Sequence, residues 1–249
     1  MGGRGTKSRL VTRVQMPQQQ QTQQPQQQAQ QQVQNQSTPS GYTLADLRGM
    51  DDKTLHDFLI NVQNTDLPPF LNANRHTQRM VYALGMNDKP EIVSDKEFQK
   101  LVKSGKTVMY RTVNDTQTLT ADDICDMFTD GDLTYLGDGV HGDGLYFSDN
   151  LRGSKMYGHT NPKTIGAVFN GKAKPISETN LRSLYDQFIK THPQARKAFG
   201  FARNHSTHDS FSQFALSQGY NIITSRQSSN ETYYTILDRS VLTMTKKRY

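Results

Sequence analysis

A single cysteine, four glutamates and the absence of any long apolar run narrow what this 249-residue chain can be. The lone Cys125 has no partner for an internal disulfide. It falls in the helix-like stretch 122–128, where a small buried apolar residue is the ordinary reading, and no base is evident nearby to make it a catalytic thiol. No stretch approaches the roughly 18 consecutive apolar residues that a membrane-spanning helix needs, and no apolar signal segment stands near residue 1. Acidic residues are missing before Asp46, so Arg4, Lys7, Arg9 and Arg13 form a basic start, and Lys246, Lys247 and Arg248 form a basic finish. Subtracting those seven from the 29 basic residues leaves 22 against 23 acidic ones. The body is therefore near neutral, which argues against a groove that tracks phosphates, and nucleic-acid contact is expected at most through the basic ends.

Glutamine, by contrast, is abundant. It fills most of 15–36, broken by Pro17, Pro25, Ala29 and Val33, with no apolar recurrence at helical or strand period. Residues 1–40 are therefore expected to be a disordered basic and Gln-rich tail. Order is expected from residue 41, in one folded unit running to 249. Leu44, Leu47, Leu55, Phe58, Leu59 and Val62 recur at helical spacing, a further helix is expected over 74–84 up to Gly85, and Ser94 with Glu97 writes a capping box. Residues 41–104 thus read as a helical lead-in.

From residue 105 the texture changes to short runs of β-formers separated by glycine-rich or polar turns, and 105–249 reads as an α+β domain. Strands are expected over 107–113, 145–148, 167–169, 221–225 and 232–237. Helices are expected over 121–128, 180–191 and 206–218, with a short one carrying both Ser154 and Tyr157.

Three segments carry polar and aromatic groups that a packed core does not need: Met109-Tyr-Arg111-Thr112; Gly142-Asp-Gly144-Leu-Tyr146-Phe-Ser148 with Ser154 and Tyr157 beyond; and Asn230-Glu231 leading through an apolar strand to Asp238. An arginine within an apolar strand is costly to bury unless it meets an anion or a carboxylate. Taken singly, the tyrosines read as core aromatics and Glu231 as a strand residue beside a turn. Glu231 is nevertheless the only one of the four glutamates in a strand context.

Together and in this order, the segments resemble the signature of the ADP-ribosyltransferase superfamily. The second and third are most similar to its poly-ADP-ribose polymerase branch, including the eleven-residue step from Tyr146 to Tyr157. Arg111 stands where that branch has histidine and is similar instead to the toxin-like branch, for which Ser148 would supply the serine. The resemblance spans roughly residues 105–245.

It implies a split β-sandwich fold that binds NAD as substrate. Tyr146 and Tyr157 would flank the nicotinamide ring, and Ser154 with the backbone of Thr112 would hold its carboxamide. Arg111 would grip the pyrophosphate or adenosine ribose, with Gly144 and Ser148 lining the site. Glu231 would face the ribose carbon that turns cationic, making Glu231, Tyr146 and Arg111 the catalytic set. The implied activity is mono-ADP-ribosyl transfer to a protein acceptor, with a host protein among the candidates. The alternatives are an NAD glycohydrolase and an inactive NAD-binding or virion-associated module of the same fold. Ser229 stands two residues before Glu231, where arginine-directed members carry glutamine or glutamate, which counts against an arginine acceptor. No metal is expected, since His205 and His208 have no further ligand cluster. Asp138, His141 and Asp143 are open between touching substrate and merely solvating the glycine loop. The Gln-rich arm and the opening Gly-Gly-Arg-Gly resemble prophage-encoded proteins, which implies a bacterial or host cytoplasm, or a virion, as the location.

Overall fold

The capping box at Ser94 forms in both directions. The Ser94 hydroxyl accepts the Glu97 backbone N–H at 3.3 Å, and the Glu97 carboxylate accepts the Ser94 N–H at 3.0 Å. These bonds belong to a computed structural model that describes residues 38, 40–47, 49–64, 76–86, 89–130, 137–139, 142–191 and 208–249, all within the unit Ser37–Tyr249. The expectations for 1–37 and 39, and for the side chains of Asp138, His141, Asp143, His205 and His208, lie outside the described residues.

Eight helices are described: α1 (Leu44–Leu47), α2 (Asp52–Asn64), α3 (His76–Ala83), α4 (Asp95–Lys103), α5 (Ala121–Asp130), α6 (Leu151–Lys155), α7 (Glu178–Thr191) and α8 (His208–Ser217). The strands are β1 (Glu91–Ile92), β2 (Met109–Val113), β3 (Gly137–Gly139), β4 (Gly142–Ser148), β5 (Lys163–Phe169), β6 (Pro175–Ser177), β7 (Ile222–Ser228), β8 (Glu231–Ile236) and β9 (Leu242–Arg248). Gly85 and Gly219 leave α3 and α8 with φ of 65° and 75°, the left-handed turn that a helix C-terminus asks of glycine. No described helix is long and apolar enough to cross a membrane.

The architecture is mixed α+β around an eight-strand sheet ordered β1-β9-β5-β2-β4-β8-β7-β6, with β3 hairpinned onto β4. Its ladders are mostly antiparallel, but β1–β9 and β6–β7 are parallel. One junction is thin. β4 pairs with β8 over four residues, whereas β2 and β4 meet at the single pair Tyr110↔Ser148. The sheet is therefore split into two four-strand halves joined at a seam.

Each face of the sheet carries its own core. On one face, α5 supplies Ile124, Cys125 and Phe128 to a cluster with Met109, Leu145, Phe147, Ile165 and Ile236. On the other, the helices α1 to α3 pack with α7 and α8 over Ile176, Ile223 and Leu237. The first three helices of 41–104 share this core with helices from the far end of the chain.

The basic finish belongs to a strand: Lys246, Lys247 and Arg248 lie in β9, between β1 and β5, with Lys246 and Lys247 exposed. Leu242 and Met244 are buried on it, Thr243 bonds Glu91 at 2.8 Å, and Thr245 bonds Asp95. Arg248 pairs with Asp126 at 3.0 Å. Asp238, part of the third motif, caps the short 3-10 turn Arg239–Val241 by accepting the Ser240 N–H at 2.9 Å.

Candidate functional site

Side chains of directly paired strand residues share a face, and successive residues alternate between faces. On β4 and β8 the pairs Tyr146↔Thr235 and Ser148↔Tyr233 therefore put Tyr146, Ser148, Glu231 and Tyr233 on one side. The pair Tyr110↔Ser148 extends that side across the seam to Tyr110 and Thr112.

Glu231 opens β8, and its Oε1 accepts a hydrogen bond from the Ser148 hydroxyl at 2.8 Å. The same hydroxyl accepts the Asn150 N–H at 3.0 Å, so its proton is aimed at the carboxylate. Asp149 ties β4 to β8 beside this contact, accepting the Thr232 N–H at 2.9 Å. The Asn150 side chain then caps α6 by accepting from Arg152 and Gly153. That capped turn lies against Glu231: a Cβ on Gly153 would stand 2.1 Å from Glu231 Oε1. Glycine leaves the carboxylate its place.

One residue on, Ser154 is 3 % exposed, and its hydroxyl lies 3.0 Å from that of Thr112, which lies 2.8 Å from that of Thr164. Three hydroxyls thus form a chain from α6 through β2 to β5. Thr112 takes part through its side chain, a role the sequence did not give it. Tyr157 is not on the short helix expected for it but in the turn that follows. Asn114 holds it there by donating to its carbonyl at 2.8 Å. The Tyr157 side chain is largely exposed, and its hydroxyl sits 3.3 Å from that of Tyr233. Tyr233 in turn faces Glu231. The hydrogen bond with Tyr157 comes first among the causes that raise its phenol pKa far above the ordinary range, followed by burial and by the nearby Glu231 charge. Tyr233 stays a neutral phenol.

Glu231, Ser148, Ser154, Thr112 and Tyr157, distant in sequence, are thereby drawn into one assembly of hydroxyls and a carboxylate. Tyr146 lies half-buried on the same face, two residues from Ser148, or about 7 Å along the strand. Gly144 lies further along β4, where an added Cβ would stand 2.5 Å from Thr235 Cγ2, so it secures the close packing of β4 on β8.

Arg111 stands apart from the assembly. It pairs with Ile165, which belongs to the α5-side core, and its charge acts on the buried Cys125. Its Nη1 donates to the Tyr146 carbonyl at 3.2 Å across the seam. The acceptor that an arginine in an apolar strand requires includes a main-chain oxygen of the facing strand. Cys125 itself is fully buried, and burial pushes its thiol pKa up to about 11, which leaves it an inert core residue.

Sequence reasoning missed Tyr233, Gly153 and Thr164. Tyr233 carried a usable signal, being two residues from Glu231 on a strand. Gly153 and Thr164 carried none without the register.

The assembly offers a carboxylate backed by donors, a hydroxyl pair suited to an amide, and an exposed aromatic ring. Among the described residues, no group of His, Cys, Asp and Glu could hold a metal ion. No protein-family model matches the chain, and neither a curated protein nor a solved structure matches it.

Proposed function

We propose that the chain is a mono-ADP-ribosyltransferase that moves ADP-ribose from NAD to a protein acceptor and releases nicotinamide. The observation that carries this reading is the pair of contacts that joins the second and third motifs at one place, Ser148 to Glu231 at 2.8 Å and Tyr157 to Tyr233 at 3.3 Å, with Tyr233 on the same face of β8 as Glu231. The thinned junction between β2 and β4 also fits a split β-sandwich, the fold the motifs imply.

On this reading Tyr146 and Tyr157 bind the nicotinamide ring, and Ser154, oriented by Thr112, holds its carboxamide. The bond between the ribose C1 and the nicotinamide nitrogen breaks, and its electron pair leaves with nicotinamide, which becomes neutral. The ribose passes through an oxocarbenium-like state that the Glu231 carboxylate stabilises. An acceptor nucleophile then bonds to C1 and gives its proton to solvent. Arg111 contributes by bracing the seam from its other face, a role that replaces the pyrophosphate grip expected from sequence.

The test is nicotinamide release from NAD by the wild type and by Glu231→Gln. Loss of a pre-positioned electrostatic group costs about 2.7–4 kcal/mol of barrier, a fall in turnover of about 100- to 1000-fold. Equal rates would remove Glu231 from the mechanism, and a wild type that releases no nicotinamide would leave a binding module. Mass spectrometry separates transfer, seen as an ADP-ribose adduct on protein, from hydrolysis, seen as free ADP-ribose.

A further inference from the structure

Consecutive tyrosines on β8 are committed to different surroundings. Tyr234 pairs with Phe147 and meets the Phe169 ring edge-on at 5.5 Å, within the α5-side core. Tyr233 pairs with Ser148 on the opposite face, with its hydroxyl 3.3 Å from that of Tyr157 and the Glu231 carboxylate acting on the same phenol. A ring serving only to fill space would not need that hydroxyl. Tyr157, for its part, rides on a turn with its side chain 57 % exposed. An exposed aromatic side chain samples several rotamers, and each must be excluded before the ring can stack in one place.

We infer that Tyr233 is a positioning residue: two residues from Glu231 on the same face of β8, its phenol holds the Tyr157 hydroxyl and so fixes the aromatic ring relative to the carboxylate. The inference rests on the nucleotide reading of the site and deepens it, because a flat cationic ring bound by Tyr157 then arrives in a set relation to the group that stabilises its departure. Ser148 still holds Glu231 when the phenol is removed, so the loss falls on ring placement and hence on binding.

The test is a double-mutant cycle with Tyr233→Phe and Tyr157→Phe, read as KM and kcat for NAD in nicotinamide release and as the calorimetric dissociation constant of nicotinamide. Each single variant is expected to raise KM and the dissociation constant about two- to tenfold, the range of one neutral hydrogen bond, with kcat changed less than twofold. The double variant is expected to be no worse than the worse single one, since both remove the same contact. Tyr234→Phe, on the core face of the same strand, serves as control and should leave these constants within twofold of wild type. Additive losses, a Tyr233→Phe variant equal to wild type, or an equal shift in Tyr234→Phe would each overturn the inference while leaving the proposed activity standing. A wild type that releases no nicotinamide would overturn both.

Discussion

Phe147 and Ser148 are neighbours on β4, yet one lies in the core with its ring edge-on to Phe128 at 6.0 Å, and the other hydrogen-bonds Glu231. Tyr234 and Tyr233 divide in the same way on β8, and Arg111 and Thr112 on β2. The α5 face of the sheet is largely apolar and carries a thiol held protonated, with Arg111 tied to a main-chain oxygen at the seam. The opposite face, close to the seam, is lined by hydroxyls and a carboxylate. Strand alternation thus places two environments one residue apart, and each substitution should register on one readout only.

The largest effect expected from breaking this division is on the core side. Phe147→Ala removes a fully packed ring and should lower stability by about 3–5 kcal/mol, measured by urea denaturation. Glu231→Gln, by contrast, should leave the urea midpoint nearly unchanged while abolishing most turnover. A Glu231→Gln variant that melts like Phe147→Ala would show that the two faces are not independent.

Arg111 tests the division at its boundary. Its guanidinium donates to the Tyr146 carbonyl where β2 and β4 lack further ladder pairs. Loss of a hydrogen bond from a charged donor costs about 1.5–3 kcal/mol, so Arg111→Ala should lower stability by that amount. Its KM for NAD should stay close to wild type when assayed below the transition. A raised KM with unchanged stability would instead return Arg111 to the phosphates.

Local signals made much of this legible. Ser94 with Glu97, Gly85 and Gly219 wrote helix ends into the sequence, and the β-former runs at 107–113 and 145–148 marked the strands that flank the seam. What was hidden is non-local. β9 ends in Lys246-Lys247-Arg248 and reads as a tail, because only its neighbours β1 and β5 reveal that Leu242 and Met244 are buried. The helices α1 to α3 read as the helical lead-in of one folded unit, but not as partners of α7 and α8, which begin 95 or more residues further on. At the candidate site the motif residues could be named, but not the face each occupies. Whether Arg111 joins Glu231 or opposes it depends on the pairing with Ile165, which no single segment contains.

The smallest expected effect is the sharpest probe of the chemical face, because propensity and contact there predict opposite signs. Gly153 sits inside α6 with no left-handed backbone to require glycine, so alanine should favour the helix by up to about 1 kcal/mol. The new methyl, however, would occupy the position of Glu231 Oε1, the far end of a side chain that can swing aside more cheaply than the helix can shift. Gly153→Ala is therefore expected to melt at or slightly above the wild-type temperature while nicotinamide release falls about tenfold, roughly 1.4 kcal/mol of barrier. If activity held and the melting temperature fell, the helix rather than the carboxylate would have yielded, and Gly153 would be a packing residue. Activity lost without stability would mean that α6 determines where the Glu231 carboxylate stands.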